Sequence, residues 1–475
     1  MNHTPLPYDD VLLNIAAYVA DARIESEIAL ETARYCLLDS LACAFEALEY
    51  PDCTKLLGPP PGGGSLCIGA RVPGTNYQLD PASAAFNIGA LVRWLDFNDT
   101  YTAAQTCHPS DDLGPILAVA DSLSRRRIPS GKSPLLMHDV LVAMIKAHEI
   151  QGVLGMENAL SNHGIDHVLF LKIAATATVT GLLGGTREEI ANAVSLAFFE
   201  PSLALHRYGS NTGPRKGWAA ADAAAQSIRF AHMAVAGEEG YPQVLTHPKW
   251  GFNQVFFGGE AFRNTIPFES RVMTNVLFKI QAPVVIHAQS AIEAAIHMHR
   301  ELAGRFDDIA RIELRSHNRT LVIIDKTGPL RNAADRDHCL QYAVAVALLN
   351  GRLRASDYED EAAADAHIDR LRALMNLEEN PAYTEAYRDP QRKLNPNSIQ
   401  ILFKDGTSSP LIEVLQPIGD PARRAEGIPL LIEKFEQRLA RRFPAKQRRR
   451  ILACCLDHRK LLDTSVPAFT DLFAV

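Results

Sequence analysis

Cysteine is scarce in this chain of 475 residues: eight are present, irregularly spaced, and none forms a Cys-x-x-Cys pair. The ligand spacing of zinc or iron–sulfur sites is therefore missing, and buried reduced thiols are the expectation. His148-Glu149 lacks the second histidine of a zincin, and His297 and His299 stand two apart, a spacing that diverges on a helix. No apolar run reaches the ~18–20 residues that span a bilayer. The first ten residues, MNHTPLPYDD, carry neither the basic and apolar regions of a signal peptide nor the arginine-rich pattern of a transit peptide. These absences point to a cytoplasmic protein. Nor is there an excess of one charge: 48 basic against 55 acidic residues leave a net charge of −7, with no general attraction for nucleic acid or anionic membrane.

Hydrophobic residues make up 47% and charged residues 22%, which excludes wholesale disorder and supplies a large interior. The length predicts two or three domains. Residues 1–268 read as a large all-helical domain. Ser26 and Glu27 open a run in which Ala29, Ala33, Cys36, Leu37 and Leu41 share one face, and Thr186 with Glu189 makes a capping box. Residues 269–415 read as a smaller α/β lid domain. Strands are expected at Ile312–Leu314, Leu321–Ile324 and in a hairpin of 398–403 and 411–415 turned by Asp405-Gly406. Helices are expected at 340–349 and 359–375, and residues 416–475 read as C-terminal helices returning to the first domain. The fold class is mainly α. The Pro59–Gly64 loop lacks the lysine and hydroxyl of a P-loop, and the basic stretch 441–450 reads as a solvated helix face.

Three stretches carry chemistry. In WLDFNDTYTAAQTCHPSDD (94–112), Asp96 and Thr100 are four apart and would share a helix face. His108-Pro109-Ser110 then forms a turn into a helix from Leu113. A carboxylate, a hydroxyl and an imidazole folded together can move protons and hold a hydroxylated substrate. On local spacing alone the plainer reading is favoured, with Asp99 or Asp111 as caps and His108 as a hydrogen-bonded core residue. In Asn211–Trp218, proline at a helix start puts Arg215 and Lys216 in the first turn, where cations beside free N–H groups suit a carboxylate; projection of both into water reads equally well from sequence alone. The third stretch, Phe278–His287, holds Lys279 and His287 where the helical part yields to the α/β part, a common place for small ligands.

These stretches, with YCLLDSLACAFEALEYPDCTKLLGP (35–59), RVPGTNYQLDPASAAFNIGALVRWLDFNDT (71–100), EEGYPQVLTHPKWGF (238–252), NVLFKI (275–280) and DRDHCLQY (335–342), resemble a known family. It is the family of cofactor-independent 2-methylcitrate dehydratases and cis-aconitate decarboxylases. The resemblance implies a helical domain with an α/β lid, a homodimer, a small tricarboxylate substrate, and neither metal nor cofactor. It implies dehydration of 2-methylcitrate to 2-methyl-cis-aconitate in propionate breakdown, with citrate as a secondary substrate. Matched position by position, it places Asp96, His108, Lys216, Lys279 and His287 at the catalytic centre, with Thr100, Ser110 and Arg215 on the substrate. The lysines and Arg215 would clamp carboxylates, His108 would act as base or acid beside Asp96, and His287 would be a reserve acid. A tyrosine of the decarboxylases falls near Asp325-Lys326 here, a departure that argues against decarboxylation. A metal-dependent hydro-lyase and a non-catalytic tricarboxylate-binding protein are the other readings.

Overall fold

The computed structural model describes residues 7–64, 66, 68–208, 212–302, 304–389 and 394–475; Asn211, named above, and Cys67, one of the eight cysteines, lie outside them. The chain folds around two large apolar clusters. The first is built by helices, chiefly Glu27–Ala47, Pro81–Arg93, Leu113–Arg127, Met137–Glu157 and Val168–Leu182. Leu431, Phe435, Leu439, Ile451 and Phe469 from the last 60 residues are buried in the same cluster, so the C-terminal helices pack on the N-terminal ones. The seven described cysteines are all free and buried.

Local sequence signals account for the helix starts. Ser26 Oγ accepts from Ala29 N–H, and Thr186 and Glu189 exchange side-chain-to-backbone bonds at 2.6 and 3.2 Å. The Arg424–Arg442 helix contains Pro429 six positions in. Among the described helices none is long and apolar enough to cross a membrane.

The second cluster gathers residues 277–414 around a four-stranded sheet. Ile309–Ser316 pairs in parallel with Met375–Glu379 and antiparallel with Asn397–Phe403, which pairs with Ile412–Val414. The Asp405-Gly406 turn is present, with Gly406 at φ +82° and Asp405 Oδ1 accepting from Thr407 N–H at 2.8 Å. Two expectations are corrected. The segment expected as a strand at 321–324 is the end of a helix, Asn318–Ile324, whose Thr320 and Ile324 are buried one turn apart. Packing on the sheet overrides the β-branched composition. The single helix expected at 359–375 is two short ones, Asp360–Ala363 and Ala366–Ala373, followed by the strand Met375–Glu379, whose polar composition gives no strand signal.

Candidate active site

The Pro81–Arg93 helix is capped by Asp80, which accepts from the N–H groups of Ala82 and Ser83, and it delivers the chain to a tight turn. There Asp96 takes φ +49°, the one non-glycine residue in the left-handed region among the described residues. Aspartate tolerates that region better than most residues, and strain of this kind concentrates at functional sites. The helical face expected to join Asp96 and Thr100 does not form. Residues past the turn run extended, and Thr100 exchanges both backbone bonds with Leu277 at 2.9 and 2.8 Å. That bridge ties the turn to the segment carrying Lys279.

The Asp96 carboxylate is 1% exposed and collects three cations. Its Oδ1 lies 2.6 Å from Arg93 Nη1 and 2.5 Å from Lys279 Nζ, and its Oδ2 lies 3.1 Å from Lys216 Nζ. Burial alone would raise its pKa, but Arg93, Lys216 and Lys279 together hold it well below the usual carboxylate range. The cations respond in turn: burial, with Arg93 and Lys216 nearby, brings Lys279 down to about 8 against the pull of Asp96. Lys216 also pairs with Asp337 at 2.6 Å, so three cations face two ionised carboxylates, and the remaining positive charge in a dry place suits an anionic substrate.

His108 faces this centre with Nε2 3.9 Å from Asp96 Oδ1. Its Nδ1 lies 2.9 Å from the carbonyl oxygen of Asp99 and 3.2 Å from Thr100 Oγ1, so the ring is held from behind. Burial first, then Arg93 and Lys279, keep His108 well below 6.5 and hence neutral. Neither Asp99 nor Asp111 is a helix cap. Asp99 Oδ1 accepts from Ser110 N–H at 3.0 Å and its Oδ2 lies 3.3 Å from His148 Nε2; Asn98 donates to Ser110 Oγ and to Asp111 Oδ1. Burial pushes Asp111 up to about 7. Ser110 is thus fully buried and part of the frame behind His108.

Lys216 reaches the centre from a 3-10 turn, Pro214–Gly217, and not from the first turn of the alanine-rich helix. Trp218 at φ −133° separates that turn from the helix Ala219–Val235. Gly217 lets the turn close: a Cβ there would stand 2.9 Å from the Trp94 ring. Adjacent residues of so tight a turn point apart. Lys216 is 1% exposed and inward, whereas Arg215 stacks 4.4 Å over the Trp218 ring and pairs with Asp222 at 2.9 Å near the surface. Arg215 and Lys216 therefore do not meet on one side of the turn.

Lys279 is fully buried and donates to the Asp96 carbonyl as well, at 2.9 Å. Behind it, Phe278 N–H bonds to Gly419, where a Cβ would collide with the Phe278 carbonyl at 1.7 Å. His287 is buried nearby in an aromatic group: it is 5.4 Å from the His317 ring and 5.8 Å from Tyr387, and Tyr387 stacks on His317 at 3.9 Å. Burial, His317 and Arg319 hold His287 well below 6.5. Tyr387 and Arg319 also line a cavity of about 660 Å³ between the two clusters. Lys326 Nζ donates to Thr212 Oγ1 at 3.0 Å and to Asp335 Oδ1 at 2.6 Å.

The structure adds residues to the centre that the sequence reading assigned no role. Arg93 is fully buried although an arginine at a helix C-terminus reads as a solvated dipole partner. Asp337 Oδ2 lies 2.6 Å from Lys216 Nζ, and Asp337 Oδ1 lies 2.5 Å from Nδ1 of its neighbour His338. A second opening, about 180 Å³ and lined by Trp94, Lys216, Trp218, Asp337 and Tyr358 among others, reaches this pair. Asp96, Asp337 and His338 bring three possible metal ligands together. Lys216 Nζ already bridges both carboxylates, so a cation occupies the position a metal would take. The other such group, Cys36, Asp99 and His148, holds a thiol whose pKa burial raises well above 9.

Comparison with known proteins identifies the family. A profile of the MmgE/PrpD N-terminal domain matches residues 13–265, and one of the MmgE/PrpD C-terminal domain matches residues 282–458. The chain is 51% identical to a 2-methylcitrate dehydratase of Escherichia coli, over 100% of this chain and 99% of that one. It is 52% identical to the 2-methylcitrate dehydratase of Cupriavidus necator, covering 98% and 97% of the two chains. It is 47% identical to the mitochondrial 2-methylcitrate dehydratase of Yarrowia lipolytica, covering 98% and 90%. Matches over both halves and nearly the full length place this chain in the MmgE/PrpD family.

Proposed function

We propose that the chain is a hydro-lyase that removes water from 2-methylcitrate to give 2-methyl-cis-aconitate, without a metal or organic cofactor. The observation that carries the reading is the buried Asp96 carboxylate with Arg93, Lys216 and Lys279 around it and His108 beside it. Removing a proton next to a carboxylate builds further negative charge on that carboxylate. Fixed cations in a dry site stabilise such charge where water would do so poorly. Lys216, Lys279 and Arg93 hold the substrate carboxylates and the developing charge. His108 takes the proton on carbon through Nε2, with Thr100 and the Asp99 carbonyl fixing its ring. Asp96 keeps the three cations together, Ser110 supports the frame, and His287, buried beside His317 and Tyr387, is a reserve acid.

Citrate lacks one methyl group, and a methyl in an apolar pocket discriminates by only ~1–3 kcal/mol, so citrate is a slower second substrate. The protein acts in the cytoplasm as a homodimer. Exposed Phe199, Leu203, Leu205, Tyr241 and Trp250 on the helical part support the pairing, and sedimentation at two concentrations tests it. The activity is tested by incubating purified protein with 2-methylcitrate, citrate and cis-aconitate separately. Formation of the unsaturated product from 2-methylcitrate is expected. Carbon dioxide release from cis-aconitate alone would replace the reading with decarboxylation, and binding without turnover would replace it with a carboxylate-binding protein.

A further inference from the structure

Dehydration moves two protons in opposite directions: one leaves carbon, and one must reach the departing hydroxyl. The Asp96 carboxylate is flanked by two imidazoles. His108 Nε2 stands 3.9 Å from Oδ1, and His338 Nε2 stands 3.9 Å from Oδ2. Neither nitrogen has a hydrogen-bond partner among the described residues, so both are open to a substrate atom.

The two rings are backed by different chemistry. His108 Nδ1 faces a main-chain carbonyl at 2.9 Å, which takes an N–H and leaves the lone pair on Nε2. A carbonyl carries no charge to offset an imidazolium, so His108 is suited to accept a proton and not to arrive with one. His338 Nδ1 faces the Asp337 carboxylate at 2.5 Å, and Lys216 anchors the other oxygen of that carboxylate at 2.6 Å. A buried carboxylate behind an imidazole stabilises its protonated form and fixes its orientation.

We propose that His338, backed by Asp337, is the general acid of the dehydration, working across Asp96 from His108 as the base. The assignment deepens the dehydratase reading and rests on it. The proton on carbon passes to His108 Nε2, and the C–H electron pair becomes the new C=C bond. The C–O pair leaves with the oxygen, and the proton on His338 Nε2 completes the water molecule. His108 ends protonated and His338 neutral, and exchange with solvent after product release restores both. Burial and Lys216 hold His338 down to about 4, and a tricarboxylate beside it adds negative charge that raises it. The acid form is therefore drawn in with the substrate.

The test compares two leaving groups on the full-length protein: 2-methylcitrate, whose hydroxyl must be protonated, and its analogue with fluoride in that place, which departs without a proton. In His338→Gln, dehydration is expected to fall by about 100-fold or more while fluoride release falls by less than about tenfold. Asp337→Asn, which keeps the side-chain shape, shows the same split with a smaller fall and carries the test if His338→Gln does not fold. Dehydration within about threefold of the unmodified protein, or equal falls in both reactions, overturns the assignment. If the unmodified protein dehydrates nothing, the dehydratase reading fails instead, before any variant is measured.

Discussion

Lys279 Nζ sits 2.5 Å from Asp96 Oδ1 and 2.9 Å from the Asp96 carbonyl across 183 positions of sequence. The carbonyl of Lys279 in turn accepts from Lys434 Nζ at 2.9 Å, and Lys434 pairs with Asp39 at 2.8 Å. Four distant parts of the chain thus meet through buried charges: the Glu27–Ala47 helix, the Asp96 turn, the junction segment and the C-terminal Arg424–Arg442 helix. The site is therefore a consequence of the whole fold, and damage to its charges is felt as stability as well as rate.

Asp96→Asn leaves Arg93, Lys216 and Lys279 without their shared counter-charge. Breaking a buried ion pair by removing one partner costs about 3–5 kcal/mol, and a loss of that size is expected in urea unfolding. Activity on 2-methylcitrate is expected to fall by about 100-fold or more in the fraction that remains folded.

Lys216 and Arg215 are neighbours with opposite fates, which makes them a matched pair. Lys216→Met is expected to lower kcat/KM by about 100-fold or more, whereas Arg215→Ala, which loses a surface pair with Asp222, stays within about threefold. Steady-state kinetics on both variants checks this. Equal losses would mean that Arg215 also reaches the substrate.

Five buried histidines set the acid limit of stability. His167, His317 and His338 sit at about 4, and His108 and His287 lie well below 6.5, with burial the first cause in each. Their folded pKa values are lower than the unfolded one, so between about 6.5 and 4 the unfolded chain binds more protons. The stability they supply is complete above 6.5 and is lost as pH falls through the folded values, at up to about 1.4 kcal/mol per pH unit for each histidine. Buried Asp39 and Asp111, raised to about 6 and about 7, bind protons in the folded chain over the same window and offset part of this loss. Urea unfolding at pH 7.5, 6 and 5 is expected to show a net decline that is shallower than five histidines alone would give, and a rise in stability toward pH 5 would contradict it.

Activity should bound the same site from the other side. Lys279 at about 8 loses its charge as pH rises through that value, so kcat/KM is expected to decline above pH 8. The acid limb, set by His108, falls below the ordinary histidine value of 6.5. Lys279→Arg, which stays charged, is expected to remove the part of the decline near pH 8 and to leave the fall that follows loss of the His338 proton.

Local chemistry made much of this legible. Capping residues at Ser26, Thr186 and Asp405-Gly406 act through bonds between near neighbours, and the structure carries them out. Asp96, Thr100 and His108 stand within 13 residues, and their meeting requires only one fold-back. Arg93 and the Asp337–His338 pair were not legible as site members. An arginine at a helix end and a D-R-D-H loop look solvated until a fold 240 positions wide buries them. The orientation of Arg215 was not legible for the converse reason: a 3-10 turn sends consecutive side chains in different directions, and only the Trp218 ring shows which one faces out.

The central claim is that fixed charge around Asp96, without a metal, drives dehydration. The most direct measurement is the ultraviolet absorbance of the new conjugated double bond, followed with 2-methylcitrate and excess EDTA for the unmodified protein and Lys279→Met side by side. The account predicts a steady rise for the unmodified protein, and for the variant a rate lower by about 100-fold or more. A rise that vanishes with EDTA and returns with iron, or a variant as fast as the unmodified protein, would contradict it.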